Sequence, residues 1–287
     1  MYVDGYDRDR LQRIFSITKS VTSALIGIAI DEGMIDGVDT PLYTFFPDNR
    51  EAFEDAKKRE ITLEHILTLT SGLDWVESSV PYTDPRNDQY HQVRSDDWIE
   101  YVVERPIADE PGARWVYNTG SVHLLSAVIK RASGMYANEF IEKHLFKPLG
   151  ITEYEWNTDP RGYPCTGGTH GGLRMRVRDV VKIGSVFLNE GKWHDEQIVS
   201  ARWVVESTKP RLETAFGSQM GYLWWSSGFK IKGRWFEFFF AAGYGGQSLH
   251  ICPELDMIIC LLCWSNPEDA AILAPTLMTY KSVLDNE

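Results

Sequence analysis

The first long apolar segment of the chain begins after Ser16 and ends before Asp31. Its hydrophobic positions are spaced three and four residues apart, which predicts the buried stripe of an α-helix. These positions are Ile17, Val21, Ala24, Leu25 and Ile28. Ser23 and Gly27 keep the helix narrow on the face of Lys19, as close packing beside a cleft requires. We therefore predict that this helix borders a cleft.

Residues 39–214 show helical patterns separated by loops that contain proline and glycine. We predict helices from Ile61 to Leu67, from Ser121 to Ala132 and from Val177 to Leu188, each followed by a glycine-containing stop signal. The remainder of the chain is typical of strands. The segments Trp235–Ala242, Gln247–Cys252 and Met257–Trp264 are apolar and separated by a glycine turn and a proline turn.

These elements predict an α+β fold in which an antiparallel sheet is flanked by the first helix and by a closing helix, Asp269–Leu284. A mostly helical domain is inserted between them. We expect three segments: residues 1–38 with the Ser16 helix, the inserted domain 39–214, and residues 215–287 with the strands and the last helix. The cleft is expected between the sheet part and the inserted domain.

Composition and charge narrow the choice of function. The net charge of -12 argues against nucleic acid and anionic membrane surfaces as partners. No apolar run reaches the roughly 18 residues of a membrane span, and the N-terminus lacks the pattern of a secretion signal. If Met1 is the natural start of the chain, these observations predict a cytoplasmic protein.

The four cysteines give no sign of a disulfide or a metal site. If Cys252 pairs with Met257 across the Pro253 turn, Cys260 lies opposite Leu249, so no two cysteines of the ladder face each other. The chain has no Cys-x-x-Cys with partner histidines and no His-Glu-x-x-His. We expect neither metal nor cofactor.

Ser16 and Lys19 are spaced as a nucleophile and its base on one helical turn. The serine hydroxyl lies near the positive end of the helix dipole, and the i,i+3 spacing brings the ammonium to the same face. The pattern also occurs by chance about once in a chain of this composition. Its second occurrence, Ser227–Lys230, falls in a segment with the pattern of strand edges around a turn, and we reject it.

Two later segments add a second and a third motif to the Ser-x-x-Lys pattern of Ser16 and Lys19. Tyr117-Asn118-Thr119 precedes a helix, and Ala241-Ala242-Gly243 ends a strand at the glycine turn. In this order and spacing, the three motifs resemble those of serine hydrolases of the class C β-lactamase and penicillin-binding-protein superfamily. Accessory segments are most similar to the esterase and 6-aminohexanoate-dimer hydrolase branch, among them Thr68–Trp75, Gly171–Arg174 and Gly221–Trp225. The absence of Gly-x-Ser-x-Gly argues against an α/β-hydrolase.

The resemblance implies a role for each matching residue. Ser16 would be the nucleophile that forms an acyl-enzyme, Lys19 its base, and Tyr117 the carrier of the proton to the leaving group. Lys19 and Tyr117 would titrate as a coupled pair, so which of them takes the serine proton stays open. The backbone N–H groups of Ser16 and Tyr244 would form the oxyanion hole.

Further residues are candidates for substrate binding. Thr119 and Gly243 belong to the second and third motifs, Tyr82 lies in a loop between helices, and His170 lies in a glycine-rich loop. For His170 a structural role is an equal alternative, and for Tyr82 a packing role is favoured over assistance to a leaving amine.

Two departures from the superfamily pattern affect the expected substrate. Thr119 stands where asparagine is usual and cannot supply an amide donor and acceptor together. Ala241 stands where a lysine or histidine helps to hold a substrate carboxylate. We therefore expect neutral small esters or amides as substrates. A β-lactamase or D,D-peptidase, and a non-catalytic relative that binds a ligand, are the alternatives.

The N-terminal segment is a third departure from the superfamily pattern. Relatives carry two sheet strands before the serine, and here only residues 1–15 precede it, with Tyr2–Tyr6 as a candidate remnant of one. Without these strands, Met257–Trp264 would be an exposed apolar edge. We expect a shortened chain, or a homodimer that covers the edge.

Overall fold

The computed structural model describes residues 7–263. Its longer α-helices are α1 Ile17–Asp31, α6 Thr119–Ser133, α8 Val177–Leu188 and α9 Ala201–Thr208. Shorter ones are α2 Ala56–Arg59, α3 Leu63–Leu67, α4 Asp88–Gln92, α5 Trp98–Val103 and α7 Ala137–Ile141. Short segments of 3₁₀- or π-helix occur at Leu42–Phe45, Pro47–Phe53, Glu142–Phe146, Thr169–Gly171 and Pro253–Leu255.

The strands form one large and two small antiparallel sheets. Strands β1 Gln12–Arg13, β2 Tyr154–Trp156 and β3 Leu173–Met175 form a small sheet, and β4 Lys192–Trp193 pairs with β5 Glu196–Gln197. The large sheet has the order β11-β10-β9-β8-β7-β6. Its strands are β6 Leu212–Glu213, β7 Gln219–Met220, β8 Trp225–Ile231, β9 Arg234–Gly243, β10 Gln247–Cys252 and β11 Met257–Leu261. The predicted α+β class with an antiparallel sheet is confirmed.

The sheet is larger than the three predicted strands. The prediction missed β6 and β7, which have two residues each, and left β8 as strand edges, since its Ser226-Ser227-Gly228 run interrupts the apolar pattern. The third predicted strand is also shorter, because β11 ends at Leu261. Pairing of Cys252 with Met257 and of Leu249 with Cys260 is confirmed. All four cysteines are free.

Helix α1 lies in the centre of the fold and contacts α6, α9 and the strands β9 and β10. All residues from Ile17 to Ala29 are buried, so the helix has no polar face towards solvent. Gly27 is required at the contact with α9, because a Cβ there would lie 2.3 Å from the indole of Trp203. Helix α8 covers β10 and β11 on the same face of the sheet. The predicted bounds of α8 are confirmed.

The small sheet fixes the segment that leads into α1. Gln12 pairs with Met175, and the backbone N–H groups of Ile14 and Phe15 donate to the carbonyls of Leu173 and Gly171, each at 3.0 Å. Phe15 adopts a left-handed backbone conformation with φ of 46°, which is uncommon for a residue with a bulky side chain. The chain therefore turns sharply just before Ser16.

Several predicted features lie outside the described residues: the closing helix Asp269–Leu284, Trp264, and the candidate strand remnant Tyr2–Tyr6. Strand β11 is the outermost described strand of the large sheet. The division at residues 38 and 214 stays a prediction. In the range 7–263 we find no helix with the length and hydrophobicity needed to cross a bilayer.

Candidate active site

Ser16 is the N-cap residue of α1, and its side chain makes no capping hydrogen bond. The hydroxyl oxygen instead lies 2.9 Å from Lys19 Nζ and 2.7 Å from Tyr117 Oη. Lys19, one helical turn away, and Tyr117, from a distant part of the sequence, therefore both contact the same oxygen atom of Ser16. The structure brings together the predicted nucleophile, base and proton carrier.

Lys19 is a buried cationic side chain, with 4% of its surface exposed. Besides Ser16, its Nζ contacts Thr119 Oγ1 at 3.0 Å and the carbonyl oxygen of Gly167 at 2.5 Å. It forms no ion pair with a carboxylate anywhere in residues 7–263. The ring of Tyr117 adds a cation–π contact, with Nζ at 4.8 Å from the ring centre. Three hydrogen-bonding directions of the amine are thus fixed by the fold.

The end of β9 approaches the segment before Ser16 very closely. A Cβ at Gly243 would lie 2.4 Å from the carbonyl oxygen of Ile14, so only glycine fits there. Tyr244 follows directly, and its ring packs on Phe15 with centroids 5.8 Å apart. This contact holds the ring of Tyr244 on Phe15, the residue directly before Ser16. An oxyanion hole formed by the N–H groups of Ser16 and Tyr244 stays a prediction. The Ser16 N–H donates to no backbone carbonyl within residues 7–263, as an oxyanion donor requires.

Glu77 is a buried carboxylate behind this cluster, and no sequence motif points to it. Its oxygens accept hydrogen bonds from Trp75 Nε1, Thr119 N, Thr119 Oγ1 and Tyr82 Oη at 2.6–3.2 Å. A lone glutamate in a loop is usually exposed, and its partner Thr119 is 42 residues away. Only the three-dimensional fold shows the contact.

Tyr82 lies on the loop between α3 and α4, next to the cleft. Its hydroxyl donates to Glu77 Oε1 at 3.2 Å, and its ring packs edge-on against Tyr244 at 5.6 Å. Burial, together with the negative charge of Glu77, raises the pKa of Tyr82 above its usual range. The phenol therefore keeps its proton at neutral pH and can act as a donor.

Tyr117 belongs to a cluster of four aromatic side chains, here called the aromatic wall: Trp115, Tyr117, Phe216 and Trp225. Tyr117 stacks on Trp225 with centroids 6.4 Å apart, and Phe216 contacts Trp225 at 5.9 Å. Phe216 is 57% exposed. The aromatic wall presents an apolar surface beside the serine.

Comparison with known families finds the beta-lactamase family over residues 3–279 of the chain. The chain belongs to the beta-lactamase family. Among curated proteins, it is 26% identical to a monacolin J acid methylbutanoyltransferase of Aspergillus terreus over 161 residues, 52% of this chain and 38% of that protein. It is 23% identical to a 6-aminohexanoate-dimer hydrolase of Paenarthrobacter ureafaciens, over 93% of this chain and 70% of the relative.

A solved structure of simvastatin synthase from Aspergillus terreus matches the fold with a TM-score of 0.72 at 18% identity, covering 98% of this chain and 84% of that one. The matched region spans 38% of the length of the methylbutanoyltransferase and 70% of the length of the dimer hydrolase. The predicted resemblance to this superfamily is confirmed.

The remaining predicted residues of this beta-lactamase family member lie further from the serine oxygen. Thr119 is buried behind Lys19, between the amine and Glu77. The ring of His170 packs against Trp98, with centroids 5.3 Å apart, and burial and the charge of Arg13 lower its pKa. Ala241 is fully buried within the core. Contacts of Thr119, Tyr82, Gly243 and His170 with substrate stay predictions.

The described residues contain no group of three histidine, cysteine or acidic side chains placed to hold a metal ion. The cluster itself holds the elements of acyl transfer: a hydroxyl, an amine and a phenol in mutual contact. Gly167, whose carbonyl accepts from Lys19, was missed because a backbone acceptor leaves no mark in the side-chain pattern.

Proposed function

We propose that this protein is a serine hydrolase that cleaves small, uncharged esters or amides through an acyl-enzyme on Ser16. The observation that carries the proposal is the contact of one serine oxygen with both Lys19 Nζ and Tyr117 Oη. Esterase and amide-hydrolase names among the relatives agree with this chemistry.

Acylation follows from these contacts. Ser16 Oγ attacks the substrate carbonyl carbon, its proton moves to the Lys19–Tyr117 pair, and Tyr117 hands a proton to the leaving alcohol or amine. The N–H groups of Ser16 and Tyr244 stabilise the negative oxygen of the tetrahedral intermediate. Water then attacks the acyl-enzyme and releases the acid.

The surroundings of the serine favour apolar, uncharged substrates. Ala241 offers no cation at the position where relatives hold a carboxylate, and the aromatic wall supplies apolar contact area instead. A penicillin or a D-alanyl peptide carries a carboxylate that would have no partner there. This argues for esters or amides over β-lactams.

The experiment compares hydrolysis of a p-nitrophenyl ester with that of a chromogenic cephalosporin. We expect kcat/KM for the ester to exceed that for the cephalosporin by about 100-fold or more, the value of one lost charged contact. A higher kcat/KM for the cephalosporin would favour the β-lactamase alternative. A folded protein that hydrolyses neither would favour a non-catalytic relative.

A further inference from the structure

Glu77 is 2% exposed and lies behind the candidate site. Its Oε2 accepts from Trp75 Nε1 and from the backbone N–H of Thr119, both at 2.8 Å. Its Oε1 accepts from Thr119 Oγ1 at 2.6 Å and from Tyr82 Oη at 3.2 Å. Four donors surround the two oxygens, so the carboxylate is fully hydrogen-bonded without a proton of its own.

This arrangement fixes the direction of the Thr119 hydroxyl. A hydroxyl has one hydrogen, and that hydrogen points to Glu77. Towards Lys19 Nζ, 3.0 Å away, Thr119 Oγ1 can therefore only accept. The carbonyl of Gly167, the other partner of Nζ, can also only accept.

These two acceptors determine the direction of the lone pair of Lys19 Nζ. When the amine is neutral it has two hydrogens and one lone pair. Both hydrogens are used by the acceptors Thr119 and Gly167, so the lone pair faces the third neighbour, Ser16 Oγ at 2.9 Å. In acylation, Ser16 Oγ forms the bond to the carbonyl carbon while its proton moves to this lone pair.

We propose that Glu77 is a positioning residue that orients the Thr119 hydroxyl so that the Lys19 lone pair faces Ser16. The inference rests on the proposed function of Ser16. It also explains the departure at Thr119: an asparagine carries a fixed acceptor oxygen, whereas a threonine hydroxyl needs an outside acceptor to set its direction.

We expect the substitution Glu77→Gln to reverse the hydrogen-bond direction of the Thr119 hydroxyl. The position of Oε2 lies between two N–H donors, so the glutamine places its oxygen there and its NH₂ group next to Thr119 Oγ1. That group donates to the hydroxyl oxygen, and the hydroxyl hydrogen turns to Lys19 Nζ and occupies its lone pair. Ser16 then loses its proton acceptor.

A second substitution tests the same polarity in another background. In Glu77→Gln with Thr119→Asn, the glutamine NH₂ group still faces residue 119, so the asparagine turns its oxygen to that group and its own NH₂ group to Lys19 Nζ. Thr119→Asn alone keeps the wild-type polarity, with its NH₂ group on Glu77 and its oxygen accepting from Lys19. The matched control is Glu64→Gln, since Glu64 also accepts from a tyrosine, Tyr222, at 2.8 Å but lies outside the site.

The test measures the burst of p-nitrophenolate release, which gives the acylation rate constant, together with KM and Tm for each variant. We expect Glu77→Gln to slow acylation about tenfold or more, with KM within about twofold of wild type. The double variant should be slower than Thr119→Asn by a similar factor, and Glu64→Gln should match wild type.

The inference is overturned by a Glu77→Gln variant that acylates as fast as wild type, or by a double variant that acylates as fast as Thr119→Asn. If Glu77→Gln does not fold, Thr119→Val takes its place in the test. An acylation rate constant equal to that of wild type in Thr119→Val would also overturn the inference. A wild-type protein that never acylates Ser16 would reject the proposed function and the inference together. If the wild-type protein does acylate Ser16, a contrary result with the variants rejects the inference alone.

Discussion

At Ser16 the side-chain oxygen has two neighbours that can carry a proton, an amine and a phenol. A serine hydroxyl is a weak nucleophile unless an adjacent base removes its proton. The left-handed turn at Phe15 and the free capping position turn the oxygen towards these groups and away from the helix end. The proposed reactivity of Ser16 therefore depends on these two partners.

Ser16→Ala should reduce ester hydrolysis by about 1,000-fold or more, because no acyl-enzyme can form. The matched control is Ser227→Ala in the other Ser-x-x-Lys segment, which lies within β8. We expect wild-type kcat/KM for that variant and unchanged Tm for both, measured by steady-state kinetics and thermal unfolding. Equal losses in the two variants would be contrary to the assignment.

Phe216→Ala tests the aromatic wall. Removing this half-exposed ring should lower kcat/KM for a hexanoate ester about fivefold, the equivalent of about 1 kcal/mol of apolar contact, and leave an acetate ester nearly unaffected. Trp235→Ala is the control, since Trp235 is also 57% exposed but lies on β9 outside the aromatic wall. An equal loss for both esters would argue against an acyl-chain contact.

The residues of the site differ in how far sequence alone could identify them. Ser16 and Lys19 stand one helical turn apart, so their spacing indicates the chemistry, whereas Tyr117 was identified through the resemblance of its motif to a known superfamily. Glu77 has no such context, because its function depends on a contact with Thr119 across the fold. Chemistry that depends on local spacing was predictable, and chemistry that depends on long-range packing was not.

Among the elements, α1 is the one that positions the site. Its buried stripe was evident from hydrophobic spacing, and so were the end of α6 at Gly134 and the bounds of α8. Strands β6 and β7 were missed because two-residue strands have no periodicity to detect. Their pairing is decided by neighbours in the sheet.

Gly27→Ala should destabilise the protein by about 1–3 kcal/mol, because the added methyl meets the rigid indole of Trp203. Gly184→Ala in α8 is the matched control. The added methyl there meets the ends of Leu249 and Ile258 at 3.0–3.3 Å, which can move. We expect a change in the free energy of unfolding within about 1 kcal/mol for the control. Denaturant unfolding measures both, and equal stability of the two variants would contradict the packing argument.

The stability of the whole molecule should depend on pH through His250. This side chain is fully buried on β10 between Phe238 and Phe240, with ring centroids at 5.4 and 5.1 Å. Burial lowers its pKa to about 4. The unfolded chain, with an ordinary histidine pKa of about 6.5, therefore binds the proton first as pH falls. The stabilisation from the neutral side chain is present above pH 6.5 and is lost between 6.5 and 4.

His250→Phe tests this linkage, because it removes the titrating group and keeps an aromatic ring. Wild type should lose about 2 kcal/mol more than the variant between pH 7 and pH 5, measured by denaturant unfolding at both values. His65 and His170, whose pKa values are also lowered, act in the same direction in both proteins. Identical pH dependence of the two proteins would exclude His250 as the cause.

The central claim is that Ser16 is the nucleophile. Its most direct test is intact-protein mass spectrometry after treatment with a fluorophosphonate, followed by peptide mapping of the adduct. We expect one adduct, on the peptide that contains Ser16, and none on Ser16→Ala. An unlabelled folded protein, or an adduct on another serine such as Ser227, would contradict the claim.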